Sequence, residues 1–259
     1  MKTKMFLTLT LFLACGLALF VSADNHEEEE KNVLVFPKAY KAKSVSNGGK
    51  INGIVKFEGE APEMKKLEIT KDQATCGKTD KFDEALVVGE DNALKNTIVY
   101  LMDITQGKDF DAKAKKPEID QKNCKFTPHV QIVPVKVRLT MLNGDNVTHN
   151  VNIADININK QQTRMIKRLR INAMPKPQGP FEVKCDIHGW MRAWVAFVPH
   201  PYFAVTNEKG EFSLENVPAG TYKLGYWHET LGNNNKEPVT VEVTAGGEVK
   251  QDFTLKMKK

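Results

Sequence analysis

The stretch FEVKCDIHGWMRAW, residues 181–194, changes character in its middle. Phe181, Val183 and Cys185 alternate with Glu182 and Lys184, and that period of two predicts a β-strand with one buried face. The alternation then stops. From Cys185 onward the chain offers a thiol, an imidazole at His188 and a thioether at Met191, each three positions after the last.

The same alternation recurs upstream. In NVTHNVNI (146–153), Val147, His149, Val151 and Ile153 share one face, opposite Thr148, Asn150 and Asn152. In VQIVPVKVRLTML (130–142), Val133, Val135, Val137, Leu139 and Met141 alternate with Pro134, Lys136, Arg138 and Thr140, which reads as another half-buried strand. His149 and Cys185 thus both fall on apolar strand faces. Each has a plain alternative: a core histidine satisfied by a hydrogen bond, or an inert buried thiol.

Together they point to chemistry. Copper that shuttles between two oxidation states is held by a thiolate and two imidazoles in a trigonal plane, completed by a weak thioether. Soft sulfur suits the reduced ion, and imidazole suits both states. Other metal groups lack their residues: a c-type haem needs Cys-x-x-Cys-His, structural zinc favours closely spaced cysteine pairs, and the chain has no His-x-His for a multicopper cluster. A binuclear copper centre would need a second cysteine in the loop.

At this point the sequence resembles a family. FTPHVQIV (126–133), LNGDNVTHNV (142–151) and CDIHGWM (185–191) are similar to the type 1 blue copper proteins, the cupredoxins, with loop spacing closest to the amicyanin kind. The resemblance implies a Greek-key sandwich, one copper ion, His149, Cys185 and His188 as equatorial ligands and Met191 as the axial one. It also implies that Asn150 braces the cysteine loop by hydrogen bonds and that an exposed His188 is where electrons leave; Trp190 would pack beside that histidine or only close the end of the core.

The C-terminal part has its own pattern. HPYFAVTNEKGEFSLENVPAGTYKLGYWHE (200–229) and VTVEVTAGGEVKQDFTLK (239–256) carry turn signals between alternating strands. They resemble the carboxypeptidase regulatory-like, transthyretin-type (prealbumin-like) β-sandwich. The opening strand of such a domain resembles GKINGIV (49–55), and the next resembles TIVYLM (97–102), a continuous apolar run suited to burial on both faces. The expected fold is therefore all-β, with a cupredoxin domain at 105–198 inserted into a discontinuous sandwich of 47–104 plus 199–259. Three sequential pieces are the alternative.

Global features set the compartment. The chain has 259 residues, 41% of them apolar, and a formal charge of +5. Its start, MKTKMFLTLTLFLACGLALFVSA, reads as a signal peptide cut after Ala23, with Lys2 and Lys4 ahead of the apolar run. Lipid attachment at Cys15 is the alternative. Residues 24–46 read as an acidic leader and linker, in which His26 beside four glutamates offers loose metal affinity. The chain beyond residue 23 is then periplasmic or extracellular, without a membrane-spanning stretch. Its net charge is too small for a nucleic-acid footprint.

Three cysteines remain, Cys76, Cys124 and Cys185. Pairing of Cys76 with Cys124 would leave Cys185 as a single thiol in an oxidising compartment. His129 and His200 are candidates for a second metal site or are plain surface histidines. His228 is expected to pack in the sandwich. Lys160, Arg164, Lys167, Arg168 and Arg170 read as a solvated edge strand, or as a docking face for an acidic redox protein. The expected function is a one-electron carrier and not an enzyme. A copper-delivery protein, or a surface β-module with a structural metal, is the alternative.

Overall fold

The structure, a computed structural model, describes residues 33–257. The signal segment, Cys15, and the acidic run with His26 lie outside the described residues. Almost every element is a strand, so the protein is all-β, built from two pairs of packed sheets. No described helix is long and apolar enough to cross a membrane.

The first pair comes from residues 118–198. One sheet has the order Ile158–Gln162, His149–Ile153, Gln178–Lys184, Arg192–Val198, Val130–Pro134; the facing sheet runs Arg168–Ile171, Leu139–Asn143, Glu118–Lys122, Lys125–Thr127. The alternating residues meet between them: Val133, Leu139, Met141, Val151, Ile153, Val183 and Cys185 form one buried cluster.

The stretch 130–142 departs from the sequence expectation of one strand. Val130–Pro134 belongs to the five-stranded sheet and Leu139–Asn143 to the four-stranded one. Between them the Val137 N–H donates to the Pro134 carbonyl at 3.2 Å, and Lys136 takes a left-handed φ of 64°. That turn carries the chain across the core. Both halves still aim their apolar residues inward, which is why the alternation runs on unbroken through the crossing.

The second pair is built from strands on either side of the first in sequence. Gly49–Phe57 pairs antiparallel with Glu211–Val217 and parallel with Glu248–Lys250 and Phe253–Leu255. Ile98–Leu101 lies between Phe203–Val205 and Gly220–His228. Gly53 is a residue the packing demands, since a Cβ there would sit 1.8 Å from the Gln251 carbonyl oxygen.

The two five-stranded sheets press their outer faces together. Along Arg192–Val198, Ala193, Val195 and Phe197 enter the first core, whereas Trp194, Ala196 and Val198 face the other way. They meet Ile98, Tyr100, Met102 and Trp227 in a third apolar layer. The ring centroids of Trp194 and Trp227 are 5.2 Å apart. Burial on both faces explains the run IVYL at 98–101, where alternation is absent because no face meets water.

One irregular segment leaves this framework. Between Gly49–Phe57 and Ile98–Leu101, residues 65–83 form a strap whose neck is closed by hydrogen bonds from Leu67 N–H to the Lys81 carbonyl (2.8 Å) and from Asp83 N–H to that of Lys65 (2.9 Å). Its tip, the single helical turn Gln73–Cys76, is pinned to the first sheet pair by a Cys76–Cys124 disulfide. Cys185 is the free cysteine among the described residues, and it is buried.

Candidate metal centre

The strands deliver three donors to one point. His149 opens the strand His149–Ile153, Cys185 directly follows Gln178–Lys184, and His188 lies on the loop that leads into Arg192–Val198. Two backbone hydrogen bonds shape that loop, from Met191 N–H to the His188 carbonyl (2.9 Å) and from Cys185 N–H to the Met191 carbonyl (3.3 Å). As a result the Nδ1 atoms of His149 and His188 lie 3.0 Å apart, and Cys185 Sγ is 3.9 and 3.7 Å from them. Both histidines are fully buried. Met191 is buried in the same core cluster as Cys185.

Each histidine is held from behind by a carboxylate. His149 Nε2 is 2.9 Å from Asp145 Oδ2, and His188 Nε2 is 2.8 Å from Asp72 Oδ2. A carboxylate only accepts, so it keeps a proton on Nε2 and leaves Nδ1 turned inward as the atom that could hold a metal. Sequence reasoning missed both acids. Asp145 lies four residues before His149 in the turn LNGDN, where its carboxylate also accepts the N–H groups of Asn123 and Cys124. Asp72 stands on the remote strap and had no signal beyond its nearness to Cys76.

Asn150 sits between the segments that carry His149 and Cys185. Its side-chain oxygen accepts the N–H groups of Asp186 (2.6 Å) and Ile187 (3.3 Å), while its own N–H points at Cys185 Sγ from 3.5 Å. Asp186 in turn accepts from the side chains of Asn150, Asn152 and Asn159. The cysteine loop is thereby tied to the neighbouring strands.

Electrostatics favour a thiolate. Burial alone would raise the Cys185 thiol, but hydrogen bonds from His149, His188 and the Asn150 N–H outweigh it and bring the group from 9.0 to about 6. Burial likewise opposes charge on His149, yet Asp145 and Cys185 on either side leave its pKa raised. The depressed thiol contributes stability that is complete above its unfolded value and lost as pH falls through about 6. The raised histidine contributes in the opposite sense, below its own folded pKa. The metal-free centre therefore favours the thiolate, and below about 6 an incoming metal must displace a proton from Cys185. Copper affinity is expected to fall about tenfold per pH unit below that value, more steeply than above it. Competition titration with a chelator between about pH 5 and 8 checks this, and a flat profile would contradict it.

Other candidate residues lie elsewhere. Among the described residues, the groupings of His, Cys, Asp and Glu with metal-ligand spacing are His149–Cys185–His188 and Cys124–Asp145–His149, the latter containing a disulfide sulfur. His129 and His200 join neither. His129 Nε2 is bound to Glu229, and His200 lies among Tyr40, Tyr202 and Phe203, where burial lowers its pKa to about 3. His228 is buried beside the Thr230 and Leu231 N–H groups, which its Nδ1 accepts. The basic residues 160–170 occupy edge strands of the two sheets and the turn between them, where Met165 is 83% exposed.

The expectation of an exposed His188 is corrected. Its ring is closed off by Asp72 on one side and by Trp190 on another, with ring centroids 5.1 Å apart. Trp190 is itself fixed by donating to the Cys124 carbonyl at 3.1 Å.

No family model and no curated protein matches the chain. Among solved structures, part of it is similar to a copper-containing nitrite reductase from Thermus scotoductus SA-01, at 19% identity and a TM-score of 0.28, over 33% of this chain and 23% of that one. The match thus spans about a quarter of the reductase. A mutant of amicyanin in its Cu(I) state is similar at 17% identity and a TM-score of 0.29, over 32% of this chain and 81% of that one. A second amicyanin mutant, in the reduced Cu(I) form at pH 4, is similar at 18% identity and a TM-score of 0.29, over 34% and 84%.

Proposed function

We propose that this chain is an exported type 1 copper protein that carries single electrons. The observation that supports it most is the convergence of two imidazole Nδ1 atoms and one thiolate within 4 Å in a buried site, each imidazole held by a carboxylate on its far nitrogen. That donor set fits copper by its chemistry: one soft thiolate and two imidazoles, with Met191 as the thioether on the same loop. Bound copper would supply a one-electron couple. The chain's own part is to hold the ligands rigid, exclude water and fix the imidazole protons. Four protein ligands leave no open position for a substrate, which favours a carrier over an enzyme.

In this reading, 105–198 forms the copper domain and 47–104 with 199–259 a carboxypeptidase regulatory-like sandwich around it. The pairing of 49–57 with 211–217 and with 248–255 supports that arrangement. The disulfide and the signal-like start support export to an oxidising compartment. The basic edge around residues 160–170 would meet an acidic redox protein, where charge speeds encounter.

Titration of the purified protein with copper(II) tests the reading. One equivalent is expected to give intense visible absorption from the thiolate–copper bond, bleached by one electron and restored on reoxidation. Copper that binds without colour would favour delivery or a structural metal instead.

A further inference from the structure

The strap has no counterpart in the sequence argument for the metal centre, yet it touches that centre twice. Asp72 brings a carboxylate to His188 Nε2 from a point 116 residues away in sequence. Four residues later Cys76 is bonded to Cys124, and the Cys76 N–H donates to the Asp72 carbonyl at 2.8 Å. On the other side of the same disulfide, the Cys124 N–H donates to Asp145 Oδ2, the oxygen that also holds His149. The disulfide therefore lies at the junction of the two acids that anchor the two histidines. Asp72 adopts a left-handed φ of 49°, an uncommon conformation for a residue other than glycine.

We propose that Asp72 is a positioning residue of the copper centre and that the Cys76–Cys124 disulfide is the clamp that holds it there. The carboxylate strengthens His188 as a donor, favouring copper(II) over copper(I), and the strap closes His188 Nε2 to solvent. This rests on the copper reading, but part of it holds without metal. Asp72 is partly exposed whereas His188 is not, so the carboxylate stands between the buried ring and the surface.

Three variants test it: Asp72→Asn, Asp72→Ala and the disulfide-free pair Cys76→Ala with Cys124→Ala. Asp72→Asn keeps the size of the side chain but removes its charge and one of its acceptor oxygens. Copper(II) affinity is expected to fall about 10–100-fold, the usual loss when an outer-shell partner is removed, with copper(I) affinity changing less. Each tenfold difference between the two states raises the one-electron potential by about 59 mV. The disulfide-free variant should shift the potential in the same direction. Combining both changes should add little, because the clamp acts through Asp72.

A metal-free readout separates this proposal from the copper reading. In nitrogen NMR the His188 Nε2–H should exchange slowly with solvent in the wild type and quickly in Asp72→Ala. If the wild-type protein takes up no coloured copper, that exchange experiment still decides the role of Asp72. Should the disulfide-free variant fail to fold, the two Asp72 variants carry the test alone. An unchanged potential in Asp72→Asn, or equal exchange rates in wild type and Asp72→Ala, overturns the proposal.

Discussion

Cys185→Ser is expected to abolish the visible absorption of the copper-loaded protein and to weaken copper binding by more than about 100-fold, beyond the loss of an outer-shell partner. The reason lies in the donor. A serine hydroxyl stays protonated where the Cys185 thiol ionises near 6, so the variant loses both the negative charge and the polarisable sulfur that suits reduced copper. The fold should survive. Oxygen replaces sulfur at a site only 1% exposed, the Asn150 brace acts mainly on the Asp186 and Ile187 N–H groups, and both carboxylate anchors remain. Titration with copper(II), followed by absorption and by chelator competition, measures both effects. A variant that kept its colour would place the chromophore on another residue and remove the basis of the metal assignment.

Much of the fold was legible because period-two alternation reports directly which side chains enter a core. It put His149 and Cys185 on inward faces, and the pairing of their two strands in one sheet brings the residues side by side. Alternation does not report which sheet a strand joins. The stretch 130–142 keeps its rhythm through a left-handed turn at Lys136, and nothing in that rhythm betrays the passage from one sheet to the other. The run at 98–101 was readable for the opposite reason: losing alternation marked a strand covered on both sides.

The centre divides in the same way. Local spacing exposes what one loop can supply, namely Cys185, His188 and Met191. The carboxylate that covers His188 comes from a segment fixed by long-range contacts and a disulfide, and no local pattern encodes it. An acid four residues from a candidate ligand, such as Asp145, is the kind of signal that a search for carboxylates able to hold the far nitrogen of a histidine would find.

Trp227→Ala is expected to destabilise the protein by about 3–5 kcal/mol, the range for removing a fully buried large aromatic, which corresponds to a fall in Tm of about 6–20 °C at this size. Trp227 is fully buried in the layer where the two five-stranded sheets meet, against the edge of Trp194 and among Ile98, Tyr100, Val130, Ala196 and Val198. Strand residues at such positions cannot repack from solvent, so the missing ring leaves a cavity between two sheets already committed to their own cores. The layer is also linked by a polar contact, since Trp194 Nε1 donates to Glu229, which holds His129 as well. If this layer couples the two sheet pairs, the wild type unfolds in one calorimetric transition, and weakening the layer separates that transition into two. Copper uptake below the first transition should be unchanged, because Cys185 and Met191 belong to a different apolar cluster from the layer. A loss under about 1 kcal/mol, smaller than such truncations cost, would show that each sheet pair stands alone and that the layer contributes little.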